Sequence, residues 1–211
     1  MNNNFNVVSI YSDGGCRGNG KNNNIGAFAY IIIYEQGYNA NNSVEYSKAF
    51  KNTTNNQMEI LGVISALDAL EHPSIVTVYS DSKYVCDAIN NGWITNWKKN
   101  GWKTAKKESV KNQELWIKLD ELVSKHHCKF SWVKGHADNE LNNRCDELLN
   151  YSMDNFIHDN TDNTIDMMSI NNNVVNNSVD SSNIVDLDRI VLKRLIKMRD
   201  ELNDLIKLID I

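Results

Sequence analysis

The alternation of apolar and polar positions changes period several times along the 211-residue chain. Phe5, Val7, Val8, Ile10 and Tyr11 form a β-branched and aromatic run that stops at Asp13-Gly14-Gly15, which predicts a strand over 5–11 and then a break. A stretch rich in glycine and asparagine leads to a longer apolar run over 27–34, and a third strand is predicted near 44–50. Short connections make these three an antiparallel meander. The period then becomes helical, with Ile60, Val63, Ile64, Leu67 and Leu70 in register, polar residues 53–57 before them and Pro73 just beyond. A β-branched run over 75–79 follows, and a helix between two strands of one sheet implies a parallel crossover. Two or three short helices are predicted between 82 and 125, a fifth strand at 130–133 and a closing helix at 141–151. The fold class is α/β with mixed α+β character: a five-stranded mixed sheet flanked by helices.

The pattern changes again at Asn155. Asn, Asp and Ser dominate through 183 and leave little to bury, which predicts a disordered linker. Beyond it Val191, Leu195, Met198, Leu202, Leu205 and Ile209 alternate four and three apart, a short heptad seam. The expected organisation is a catalytic-type domain over 1–154, a linker over 155–183 and an amphipathic, coiled-coil-like helix over 184–211. That helix suits a homodimer first, with docking on the catalytic domain or on another protein as the alternatives.

Charge changes this reading only when it is divided. The net charge is −5, yet residues 1–154 hold 16 Lys+Arg against 17 Asp+Glu, and residues 155–211 hold 6 against 10. Residues 93–111 hold six lysines and one glutamate, interleaved with Trp93, Trp97 and Trp102. A neutral average thus conceals a basic patch. No apolar run is long enough for a membrane span and the first residues do not read as a secretory signal, so a cytoplasmic protein with no membrane partner is expected, in the host cytoplasm if the source is viral. Cys16, Cys86, Cys128 and Cys145 are scattered without a Cys-x-x-Cys pair and are expected as free, mostly buried thiols.

Four acids stand where chemistry gathers. Asp13 and Asp81 follow two apolar strands, in Tyr-Ser-Asp-Gly at 11–14 and Tyr-Ser-Asp-Ser at 79–82. If those strands are parallel neighbours, both carboxylates lie at the carboxyl edge of the sheet, where α/β folds place ligands. Glu59 lies in the first helix and Asp146 in the last. Taken singly, each has an ordinary role as turn former, solvated helix residue or surface partner of Arg144. Taken together, like charges at one edge make sense around hard cations such as Mg²⁺ or Mn²⁺. Two such ions can activate a water and stabilise a leaving oxygen in phosphodiester cleavage.

At these residues the chain closely resembles type-1 ribonuclease H, particularly the bacterial form with a basic protrusion. The motifs are YSDGGCRGN at 11–19, TTNNQME at 53–59, SDSKYV at 80–85, WITNWKKNGWKT at 93–104, WVKGHA at 132–137 and RCDEL at 144–148. The resemblance implies an endonuclease that hydrolyses the RNA strand of an RNA–DNA hybrid and leaves 5′-phosphate and 3′-hydroxyl ends. It implies that Asp13, Glu59, Asp81 and Asp146 hold two Mg²⁺ ions, with Mn²⁺ a possible substitute, and that His136 assists proton movement or product release. It implies minor-groove contacts from Gly15, Cys16, Asn19, Asn55 and Asn56, and a grip on a DNA phosphate by Thr54 and Asn112. Trp93, Trp97, Trp102 and Lys98, Lys99, Lys103, Lys106, Lys107 and Lys111 become the basic protrusion, whose affinity would fall with salt. Asn55 and Asn56 have a second reading as caps of the helix they begin. Two departures stand out: no proline follows Gly18-Asn19, and no glycine follows Ala137. Two rivals share much of this pattern. A non-catalytic hybrid-binding protein would have lost an acid, and a DNA-cutting nuclease of the same fold would lack Asn55, Asn56 and the tryptophan–lysine segment.

Overall fold

A computed structural model describes residues 5–135 and 139–158. The order of elements is β1 (Asn6–Arg17), β2 (Ile25–Gln36), β3 (Ser43–Lys51), α1 (Asn55–Asp68), β4 (Ser74–Ser80), α2 (Lys83–Asn90), α3 (Trp93–Lys99), α4 (Gln113–Lys125), β5 (His127–Trp132) and α5 (Glu140–His158). The strands form one five-stranded sheet in the order β3-β2-β1-β4-β5. β1 pairs antiparallel with β2, and β2 with β3, which is the expected meander; β4 runs parallel to β1 and β5 parallel to β4.

Helices cover both faces. On one face Val8, Ile10, Phe28, Tyr30 and Ile32 pack against Met58, Val63 and Leu67 of α1 and against Trp116, Leu119 and Leu122 of α4. On the other face Ala27, Ala29 and Ile31 pack against Cys145, Leu149 and Met153 of α5. This explains why β2 is almost continuously apolar: a strand covered on both faces has no polar side to alternate with. The small alanines at 27 and 29 set how closely α5 can approach.

Two expectations are corrected. The break at Asp13-Gly14-Gly15 is not a turn: β1 continues through it, pairing Asp13 with Ala29, Gly14 with Phe28 and Gly15 with Ala27. Gly14 is there for close contact, since a Cβ on it would lie 2.3 Å from the backbone nitrogen of Glu59. The closing helix also runs further than 151, and Asn155 and Phe156, expected in the linker, belong to α5. The Phe156 ring receives Lys51 Nζ at 5.9 Å from its centroid. His126, between α4 and β5, is half-buried, and its Nδ1 accepts from the Ser74 amide at 3.2 Å.

The four cysteines are free, two buried and two half-buried. Among the described residues no helix is long and apolar enough to cross a membrane. The seam at 191–209, the tract from 159 to 183 and His136 lie outside the described residues.

Candidate active site

The parallel pairing of β1 with β4 runs from Asn6–Ser74 to Tyr11–Tyr79. Asp13 therefore projects two residues past the paired segment, and Asp81 directly follows β4. Both lie at one carboxyl edge. α1 crosses that edge in contact with β1 because Gly14 and Gly62 permit it: a Cβ on Gly62 would lie 2.5 Å from Ser12 Oγ. The close crossing brings Glu59 beside Asp13. α5, seated on β1 and β2, adds Asp146.

Each carboxylate is held by donors. The Gly14 amide donates to Asp13 Oδ1 at 2.6 Å. Asn55 Nδ2 donates to Glu59 Oε1 at 2.8 Å and Ser82 Oγ to Glu59 Oε2 at 2.6 Å. The Ser82 hydroxyl also accepts from the Val85 amide, so one group caps α2 and holds Glu59. Asn142 Nδ2 lies 3.4 Å from Asp81 Oδ2, and Trp132 Nε1 donates to the Asp81 carbonyl at 2.9 Å. Lys83, beside Asp81 in the chain, stands with its Nζ 4.8 Å from the Trp132 ring centroid. Asn150 Nδ2 donates to Asp146 Oδ1 at 3.0 Å.

The electrostatics record how close the acids are. Burial, then the charge of Asp81, then those of Asp146 and Glu59 push the Asp13 carboxyl up to about 7, against the lowering effect of the Gly14 amide. Glu59 is also raised, first by burial and then by Asp81, while its bonds from Ser82 and Asn55 oppose the rise. Among the described residues no three His, Cys, Asp or Glu side chains form a closed metal-holding set. The four acids share a field without touching, as mutually repelling carboxylates do.

Around the acids the expected nucleic-acid residues fall into three groups. Asn19, Thr54, Asn56, Lys111 and Asn112 line a groove of about 360 Å³ that joins the start of α1 to the start of α4. Gly15 and Cys16 lie on β1 beside the acids, with Cys16 Sγ 3.6 Å from the Thr53 carbonyl oxygen. The third group is α3 and the loop after it. Lys98, Lys99, Lys103, Lys106, Lys107 and Lys111 are exposed there, although Lys98 Nζ is paired with Asp120 at 2.6 Å. Trp93, Trp97 and Trp102 are half-buried and packed on the core; the Trp97 ring lies 5.6 Å from that of buried Trp116. They seat the lysine-bearing segment.

The cap of α1 is Thr54, in a reciprocal capping box with Gln57, so Asn55 and Asn56 begin the helix without capping it. Sequence reasoning passed over Ser82, Asn142 and Asn150. Ser82 and Asn142 lie one and four residues from recognised acids, but short polar residues in such places are common and nothing local marks them out.

A βββαβ sheet with acids from β1, α1, the end of β4 and the last helix defines a nuclease of the ribonuclease H-like class. The RNase H family pattern matches residues 6–154. A ribonuclease H of Clostridium botulinum is 55% identical over 149 residues, 71% of this chain and 97% of that one. A ribonuclease H of Acetivibrio thermocellus is 49% identical over 141 residues, 67% of this chain and 90% of that one. The crystal structure of LC9-RNase H1, a type 1 RNase H with the type 2 active-site motif, superposes with a TM-score of 0.62 at 26% identity, covering 74% of this chain and 75% of that one. The chain belongs to the ribonuclease H family and is a ribonuclease H hydrolase, cutting endonucleolytically within the RNA of RNA–DNA hybrids. The family binds such hybrids and depends on divalent metal.

Proposed function

We propose that Asp13, Glu59, Asp81 and Asp146 hold two Mg²⁺ ions, with Mn²⁺ able to replace them, and that the products carry 5′-phosphate and 3′-hydroxyl ends. The observation that carries this reading is the gathering of Asp13, Glu59, Asp81 and Asp146 from β1, α1, the end of β4 and α5, close enough that the charges of the other three raise the Asp13 carboxyl. Such a concentration of negative charge is unfavourable unless a cation joins it, and an all-oxygen donor set suits a hard divalent ion. When bound, the metal supplies positive charge that acidifies water and offsets the charge gathering on the scissile phosphate.

The remaining work belongs to the chain's own groups. Asn55 and Ser82 orient Glu59, leaving its carboxylate fixed beside Asp81. The groove lined by Thr54, Lys111 and Asn112 takes a phosphate of the DNA strand, Lys111 supplying charge and the two polar side chains supplying direction. Asn19, Asn55, Asn56 and the backbone at Gly15 and Cys16 read the minor groove, where 2′-hydroxyls distinguish RNA from DNA. Amides can both donate and accept there without adding charge near the acids. The lysine segment, seated by Trp93, Trp97 and Trp102, contributes affinity that does not depend on sequence. His136 moves a proton or aids product release.

The test is an end-labelled RNA–DNA hybrid with duplex RNA and duplex DNA as controls, in Mg²⁺, Mn²⁺ and EDTA, with Asp13→Asn alongside. Metal-dependent cutting of the RNA strand alone, lost in the variant, is the expected result. Undiminished cutting by Asp13→Asn, or 3′-phosphate products, would overturn the assignment of the acids.

A further inference from the structure

The donor to Asp146 is itself part of a longer arrangement. Asn150 Nδ2 reaches both Asp146 Oδ1 at 3.0 Å and the Asp146 carbonyl oxygen at 2.9 Å. At the other end of the same amide, Arg17 Nη2 donates to Asn150 Oδ1 at 2.9 Å, and Arg17 Nη1 is paired with Asp154. A guanidinium has only donors and an ionised carboxylate only acceptors. One orientation of the Asn150 amide therefore satisfies both neighbours, with oxygen toward Arg17 and nitrogen toward Asp146. Asp146, Asn150 and Asp154 stand four residues apart along α5, and Arg17 is the last residue of β1. The strand that carries Asp13 and the helix that carries Asp146 are tied together by this chain of bonds.

We propose that Asn150 is a positioning residue for Asp146, with Arg17 fixing its amide and Asp154 seating Arg17. This rests on the reading of Asp146 as a metal-holding acid. The amide matters because of what it avoids. A direct Arg17–Asp146 pair would set the guanidinium fork against both carboxylate oxygens and compete with a cation for them. An interposed amide orients the carboxylate through one oxygen and leaves its charge intact. The guanidinium polarises the amide and strengthens its N–H as a donor, so hydrogen bonds in series exceed their separate strengths.

The experiment measures Mn²⁺ binding by calorimetry to the full chain without nucleic acid, with thermal melts in EDTA on each variant. Asn150→Ala should weaken binding by about tenfold, the low end of what losing a partner of a metal ligand costs. Asn150→Leu keeps the branched shape without the amide and should do the same, and it serves if the alanine variant does not fold. Arg17→Met should weaken binding by about threefold, as befits a half-exposed charge acting through a neighbour. In the Asn150→Ala background it should have no effect at all. Equal losses from Arg17→Met in both backgrounds would mean that Arg17 acts independently of Asn150 and would overturn the relay. Asp146→Asn separates the two readings. If it weakens binding while the Asn150 variants do not, the relay falls and the metal assignment stands. If it leaves binding unchanged, both fall.

Discussion

Removing one negative charge from the acid cluster should stabilise the metal-free protein, and the size and pH dependence of that gain follow from the site. Asp13→Asn keeps an oxygen for the Gly14 amide, which lies 2.6 Å from Asp13 Oδ1, so the strand geometry is retained. The native carboxyl is raised from 3.8 to about 7, chiefly by burial and then by Asp81. At 1.36 kcal/mol for each tenfold step this corresponds to a ceiling of roughly 4 kcal/mol. Asp13 retains some solvent contact and shares its repulsion with Glu59, Asp81 and Asp146, so about 1–2 kcal/mol is expected. In a domain of this size that is a rise of about 3–6 °C in Tm. The sign with pH is definite. Below about 4 both folded and unfolded chains carry the proton and the two proteins should melt alike. From about 4 to about 7 the unfolded chain releases the proton while the native state keeps it, so wild-type stability falls steadily as pH rises. Above about 7 both states are ionised and the gap should be constant. Melts in EDTA from pH 4 to pH 9 measure this difference directly. Added Mg²⁺ should raise the wild-type Tm and leave the variant nearly unmoved. A variant less stable than wild type at pH 8, or a difference independent of pH, would refute the account of a buried carboxyl repelled by its neighbours.

Three other outcomes are expected. Gly14→Ala places a methyl 2.3 Å from the backbone of α1, which cannot yield as a side chain would, so a loss of about 3 kcal/mol or more is expected in urea titrations; an unchanged midpoint would show that α1 can move away. Asn112→Gly keeps the left-handed backbone, φ 57°, while deleting the amide, so KM for a hybrid should rise about tenfold with kcat and Tm little changed; an unchanged KM would remove Asn112 from the phosphate groove. Lys103→Ala should reduce the salt dependence of hybrid binding by about one phosphate contact. Lys98→Ala should reduce it less, because Lys98 is already paired with Asp120, and equal slopes would show that the pair opens on binding.

How much of this was legible in the sequence depended on whether a residue's role was local or shared. The meander, the parallel crossover and the identity of the candidate acids followed from periodicity and motif, because each is marked by residues that stand close together in the chain. The run of β1 through Asp13-Gly14-Gly15 did not, since glycines in a strand and glycines in a turn read alike until the partner is known. What decides between them is α1, some 45 residues away, whose backbone occupies the space a Cβ would need. The tryptophans at 93, 97 and 102 are a second case: interleaving with lysine suggests contact with nucleic acid, and buried Trp116 adds for Trp97 a packing role that only the fold reveals. The donors to the acids were harder still. Ser82, Asn142 and Asn150 are short polar residues of ordinary type; tertiary structure points Ser82 at Glu59 and Asn142 at Asp81, and sets Arg17 against the Asn150 amide that reaches Asp146 one turn away. Sequence thus marks the groups that bear the charge, while the fold marks the groups that aim it. A variant that spares every acid yet alters Asn150 or Ser82 should therefore show its defect first in metal affinity.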